Sequence, residues 1–157
     1  MLQSMYDRVG RRADVYQQVL YLLGGGQVRR FHTTATLKDV TTGQHQYTTA
    51  WLCYLLADVP SLNLVMAALV HDTAEQVEGD IPMPTKMRLG LQGTVSKFEA
   101  DMLCDNHMYF DRALTSAERR TLALANKLAG MLECVHERSL GNRYVELAFK
   151  HWLTHPA

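Results

Sequence analysis

The sequence predicts an all-α domain, and three observations carry that expectation. Apolar residues recur at helical spacing in several separated stretches. Glycine, proline and small polar residues punctuate those stretches where helices start and stop. No two runs alternate as a pair of β-strands would, and no internal repeat is present. At 157 residues the chain reads as one domain over residues 1–157. A chain of this size buries about 68–70% of its unfolded surface, enough for a core without disulfides. With 47% apolar and 20% charged residues, the composition is that of a globular protein.

Residues 13–23 read as a first helix with Val15, Val19, Leu22 and Leu23 on its apolar face, stopped by Gly24-Gly25-Gly26. That glycine run lacks a following GK[ST] and a preceding strand, which argues against a phosphate-cradling loop. Residues 29–42 read as an irregular connection, with room for a short hairpin at 39–43. Residues 47–56 follow as a helix, with Trp51, Tyr54 and Leu55 expected in the core and His45 just ahead of it.

Ser61 is a natural N-cap for the strongest helix, residues 62–77. Its expected buried face holds Leu62, Val65, Met66, Leu69, Val70 and Thr73. Gly79 and Pro82-Met83-Pro84 end it. Residues 94–107 are a further helical candidate. Residues 116–137 form a long one, capped by Ser116 without an acidic partner at Arg119. Leu124, Leu128, Met131, Leu132 and Val135 are its expected apolar surface, and Gly141 separates it from a terminal helix at 143–152.

Sixteen basic and sixteen acidic residues cancel, so no extended surface for polymeric nucleic acid is expected. Arg11-Arg12 and Arg29-Arg30 read as small solvated clusters. Cys53, Cys104 and Cys134 are odd in number and widely spaced, which suggests reduced, packed thiols. The first residues lack the apolar run of a signal peptide, and the apolar stretch at 62–70 is too short to span a bilayer. A cytoplasmic location, without a membrane partner, is the resulting expectation.

Polar residues embedded in this apolar framework suggest chemistry. His71 and Glu75 lie four residues apart on one helical face, and Asp72 and Glu75 three apart. Imidazole nitrogen and carboxylate oxygen both suit divalent ions. An Asp after an apolar run is costly to bury without a cation or donors. From spacing alone two readings stand: metal ligation, or hydrogen bonding at a helix end. Glu75 reads as a base or a solvated carboxylate, and Asp80 as a functional group or a turn residue. Arg30 and Lys86 suit phosphate as a forked and a point-charge donor respectively.

The string VHDTAE, preceded by His45 and followed by EGDIPMPTK through Lys86, resembles the HD-domain metal phosphohydrolases. The likeness is greatest to their bacterial 5′-deoxynucleotidase branch, and extends from Arg30-Phe31 to Gly141-Asn142. It implies an HD-type helical bundle of five or six helices holding one divalent ion (Mn, Co, Zn or Mg). His45, His71 and Asp72 match metal ligands, and Glu75 matches a water-positioning carboxylate. Asp80 matches a residue near the sugar and reacting phosphate, Arg30 a substrate contact, and Phe31 a position that shapes the sugar pocket.

Asn126 stands where the family's last metal ligand is an Asp. Its carbonyl oxygen is a possible ligand, though a weaker one than a carboxylate; hydrogen bonding within the helix is the competing reading. The implied activity is hydrolysis of a deoxynucleoside 5′-monophosphate to deoxynucleoside and phosphate. Related viral enzymes suggest a triphosphate substrate of the dATP type as the alternative, with the host cytoplasm as location if the protein is viral. A weakened, nucleotide-binding HD protein is the non-enzymatic reading. The resemblance also implies a homodimer or larger homo-oligomer.

Overall fold

The computed structural model describes residues 15–154. It is a multi-helix bundle in which no strand occurs among the described residues. The expected helix start at Ala13, and the Arg11-Arg12 pair, lie outside the described residues. Helix α1 covers residues 15–26, followed by α2 (Thr42–Leu56), α3 (Leu62–Val70), α4 (Glu75–Glu78) and α5 (Met83–Arg88). Then come α6 (Gln92–Asp105), a 3₁₀ turn (Phe110–Ala113), α7 (Ser116–Ser139) and α8 (Glu146–Thr154). Short α4 and α5 account for the excess over five or six helices. No helix among the described residues is long and apolar enough to cross a membrane.

The glycine run forms the last turn of α1 instead of lying beyond it, and the helix ends at Gly26. Close packing is the reason. A Cβ on Gly25 would lie 2.8 Å from both Cα and O of Thr73, and one on Gly43 would lie 2.9 Å from Gly26 O. These glycines let α1 and α2 approach one another and the turn that follows α3.

Helix α2 starts five residues earlier than expected, so His45 lies inside it. Thr41 and Gln44 form a capping box that satisfies its first amides. The expected hairpin at 39–43 is therefore absent; an isolated antiparallel bridge joins Arg29 and Thr41 instead. Trp51, Tyr54 and Leu55 are exposed, contrary to expectation. The inward stripe is Thr42, His45, Gln46, Thr49, Ala50 and Cys53. Small side chains there let α2 lie against α3 and α7, in a core of Ala50, Cys53, Leu64, Ala67, Ala68, Leu114 and Ala125.

Ser61 caps α3 as expected, accepting from Leu64 N at 3.1 Å. The predicted helix over 62–77 is split, however, and Leu62 and Leu69 face outward. Buried Gln46 explains the split. Its amide fits both neighbours when it donates to Leu69 O at 3.2 Å and accepts from Thr73 N at 3.1 Å. Those two groups would bond each other in an unbroken helix. The chain tightens into i→i+3 bonds, Thr73 N to Val70 O at 3.0 Å and Glu75 N to Asp72 O at 3.1 Å.

Thr115, rather than Ser116, caps α7, and Glu118 closes a full capping box. The buried positions of α7 are Ala125, Ala129, Gly130, Cys134 and Glu137, while Leu124, Leu132 and Val135 are exposed. Glu137 latches the 31–38 loop to this helix, accepting from Leu37 N at 2.8 Å, Lys38 N at 3.1 Å and Asn142 Nδ2 at 2.7 Å. Burial pushes its carboxyl up, but these donors outweigh it and hold the group below the usual range.

If Gly25 serves close approach, Gly25→Ala should lower unfolding stability by about 1–3 kcal/mol through overpacking. Gly93 of α6 is the control, because a Cβ there meets nothing within 4 Å. Gly93→Ala should raise stability by about 0.4–1 kcal/mol. Urea melts of both variants check the pair; a stabilised Gly25→Ala protein would refute the packing role.

Candidate metal centre

His45 comes from the first turn of α2, and His71 from the C-cap of α3. Asp72 follows in the tightened turn. One ligand atom from each of His45, His71 and Asp72 falls within 4.8 Å of the other two. His71 Nε2 is 3.2 Å from Asp72 Oδ2, and His45 Nε2 is 3.7 Å from the same oxygen. The two imidazole rings stand 5.5 Å apart.

Both rings are oriented from behind. His45 Nδ1 lies 2.7 Å from Glu133 Oε1, and His71 Nδ1 lies 2.8 Å from Ala68 O. A carboxylate and a carbonyl only accept, so each ring donates its Nδ1–H and turns its Nε2 toward Asp72. His71 Nε2 is buried without a hydrogen-bond partner. Asn126 Oδ1 lies 2.8 Å from His45 Nε2, so it accepts a hydrogen bond when that nitrogen carries a proton and stands beside it as a second donor to an ion when it does not. The donor set and the unpartnered nitrogen fit a divalent ion.

Arg30 ties the acidic groups together. Its Nη1 donates to Asp72 Oδ2 at 3.2 Å, and its Nε faces Glu133 Oε2 at 3.5 Å. Burial works against its charge, but Glu133, Asp72 and Asp80 raise its pKa further. Arg30 is thus a buried ion-pair partner, whereas its neighbour Arg29 is exposed and pairs with Asp39. Burial likewise opposes ionisation of Asp72, yet His71, His45 and Arg30 hold it well below the carboxylate range. For His71 burial acts downward, and Asp72 reverses it to a net rise. Asp72 therefore draws positive charge to His71 Nε2, as a proton or as a metal ion.

In the tightened turn, residues three apart eclipse, so Asp72 and Glu75 share one direction. Thr42 Oγ1 donates to Glu75 Oε2 at 3.2 Å. Burial, with Asp72 and Asp80 adding repulsion, pushes Glu75 up to about 9.

An open cavity of about 580 Å³ adjoins the cluster. Arg30, Phe31, Asp72, Glu75, Asp80, Lys86 and Asn126 line it, while His45 and His71 lie behind Asp72. Phe31 has φ +55°, a left-handed turn that follows the inward-facing Arg30. Gly79, at φ +78°, turns the chain into Asp80. Lys86 donates to Glu99 Oε1 at 3.1 Å. All nine residues singled out in the sequence thus belong to the cluster or the cavity.

Glu133 was not among them. Its signal was weak: it lies seven residues beyond Asn126, two turns along the same face of α7. Glu99, Thr42 and the α8 residues lining the cavity were also missed, since only tertiary packing brings them there.

No family model matches the chain. It is 24% identical over 144 residues to a 5′-deoxynucleotidase of Pectobacterium atrosepticum, spanning 77% of this chain and 72% of that protein. Two solved structures share the fold. A conserved hypothetical protein from Pyrococcus furiosus superposes with a TM-score of 0.67 at 18% identity, covering 88% of this chain and 94% of that one. The PH0347 protein of Pyrococcus horikoshii gives a TM-score of 0.69, also at 18% identity, over 88% and 84% respectively. An all-α bundle with a buried His/His/Asp cluster able to hold a metal ion is therefore common ground between sequence and structure.

Removing the group that orients His45 should weaken ion binding. Glu133→Ala is expected to reduce divalent-metal affinity about 10–100-fold, with Glu133→Gln, which still accepts from Nδ1, losing less. Competition titration with a chromophoric chelator measures this. Parent-like affinity in the Ala variant would remove the orienting role.

Proposed function

We propose that the protein is an HD-domain phosphohydrolase that releases inorganic phosphate from a deoxynucleoside 5′-monophosphate. The observation that carries this reading is the convergence of the His45 and His71 imidazoles and Asp72 beside a cavity with basic groups in its wall. The relatedness to a 5′-deoxynucleotidase supports the nucleotide as substrate. Homo-oligomeric assembly and a cytoplasmic location belong to the same reading.

His45, His71 and Asp72 would hold the ion, with Asn126 Oδ1 as a neutral fourth donor. A divalent ion held there supplies Lewis acidity, polarising the phosphoryl group and making water easier to deprotonate. Glu75 positions that water and takes its proton. Its raised pKa makes it a better base than an ordinary carboxylate, and positive charge beside Asp72 favours its ionised form. Arg30, with Nη1 and Nε turned to Asp72 and Glu133, would offer its remaining N–H groups to the phosphate, and Lys86, paired with Glu99, a point charge. Asp80 lies in the cavity wall, where it would contact the sugar or protonate the leaving oxygen, and Phe31 shapes the sugar site. The water attacks directly, with no covalent enzyme intermediate.

Asn126 favours a second reading, a nucleotide-binding protein with weakened catalysis. Assays with dAMP and dATP under Mn²⁺, Co²⁺, Zn²⁺ and Mg²⁺ separate the possibilities. Phosphate from dAMP is the expected product. Triphosphate from dATP would move the assignment to a dNTP hydrolase, and saturable binding without turnover under every ion would leave the binding reading. Glu75→Gln should keep metal affinity while lowering kcat about 10²–10⁴-fold; unchanged turnover would sink the base assignment.

Asn126→Asp should tighten metal binding and maintain or raise activity, because it adds a carboxylate at His45 Nε2. Unchanged metal affinity would take Asn126 out of the ion's contacts.

A further inference from the structure

The cavity has a wall that the proposed hydrolysis does not use. Leu147, Ala148, His151 and Trp152 of α8 form it, apolar and aromatic where Asp72, Glu75, Arg30 and Lys86 are charged. A ligand suited to the whole cavity carries phosphate at one end and a flat, weakly polar group at the other.

Gly130 seats the indole. A Cβ at that position would lie 2.7 Å from both Cε2 and Cζ2 of Trp152, so the ring rests directly on the backbone of α7. The His151 ring meets it edge to face at 6.4 Å between centroids. Gly130 follows Asn126 by four residues, about 6 Å of rise along α7, so the backbone that seats the indole lies one turn from the residue beside His45 and on the same face of that helix.

We propose that Trp152, seated on Gly130, is a stacking platform for the nucleobase, so that the cavity selects nucleotides over sugar phosphates that lack a base. The phosphate end of this assignment rests on the phosphohydrolase reading; the base end rests on α8 and Gly130. Every base presents a π-face, so an indole platform accepts purines and pyrimidines alike, with purines gaining from larger overlap.

The chain contains two tryptophans, and Trp51 is exposed on α2 outside the cavity wall. In a Trp51→Phe, Glu75→Gln protein, Trp152 is the sole indole reporter and substrate survives the titration. With Mg²⁺ present, dAMP should quench its emission saturably, and 2-deoxyribose 5-phosphate should not. Absence of quenching by dAMP, or equal quenching by the base-free ligand, overturns the platform.

In steady-state assays on the otherwise unaltered protein, Trp152→Ala should raise KM for dAMP roughly 10-fold. KM for 2-deoxyribose 5-phosphate should stay the same, and Trp152→Phe should recover most of the loss. An equal rise for both ligands would mean that Trp152 only supports the fold, and would overturn the proposal. If no phosphate ester is turned over, the hydrolase reading fails on its own, and the fluorescence titration still decides the platform.

Discussion

The structure depends on holding acidic side chains together inside a helical bundle with too little positive charge to match them. Asp72 and Glu133 share Arg30, and burial, with Asp72 and Asp80 adding repulsion, pushes Glu75 up to about 9. Buried carboxylates are tolerated when they are paired, protonated or bound to a cation. This cluster uses the first two within the protein and leaves the third open. His71 Nε2, buried without a hydrogen-bond partner, and His45 Nε2 beside Asn126 Oδ1 both lie next to Asp72, where positive charge is stabilised. The cluster is therefore able to hold a cation, before any substrate is considered.

Packing is organised around that cluster. Its helices face one another through small residues: Ala50, Cys53, Ala67, Ala68, Ala125 and Ala129 are all buried. Close approach brings α2, α3 and α7 near enough for short polar side chains from each to meet. Gln46 serves the same end by bridging Leu69 O and Thr73 N, which interrupts α3 just before the ligand turn. A continuous helix would point His71 and Glu75 along one face. The tightened turn instead aligns Asp72 with Glu75 toward the cavity and leaves His71 behind, bonded to Ala68 O.

What was legible in the sequence follows from what is local. His71, Asp72, Glu75, Asp80 and Lys86 lie within sixteen consecutive positions; their spacing left metal ligation and helix-end hydrogen bonding both open, and the motif they form together pointed to the first. The caps at Ser61 and the breaks at Gly79 and Gly141 were readable because each is set by a few neighbouring residues. Glu133 was not, since its role comes from touching His45 eighty-eight positions away. Size misled where burial depended on tertiary shape: bulky Trp51 and Tyr54 face out because their helix needs its small side for contact. The triple glycine marked the end of α1, but its second role, the close contact of Gly25 with Thr73, was not legible because Thr73 is distant in sequence.

The two ends of the site are built on different supports, and this bears on what each end can do. The His/His/Asp cluster projects from α2 and the end of α3, elements held by the main core and by hydrogen bonds behind each ring. Rigid support of that kind would keep the geometry of a bound ion within the narrow tolerance coordination requires. The other groups around the cavity come from the 31–38 loop, short α5 and terminal α8, elements fastened by fewer contacts. Glu137 ties the loop to α7: its carboxylate grips Leu37 and Lys38, four residues beyond Glu133. One helix therefore orients the His45 imidazole through Glu133, anchors the 31–38 loop through Glu137 and seats Trp152 at Gly130. Variation in the loop and in α8 would alter the cavity wall while α7 keeps the His45 side of the cluster in place.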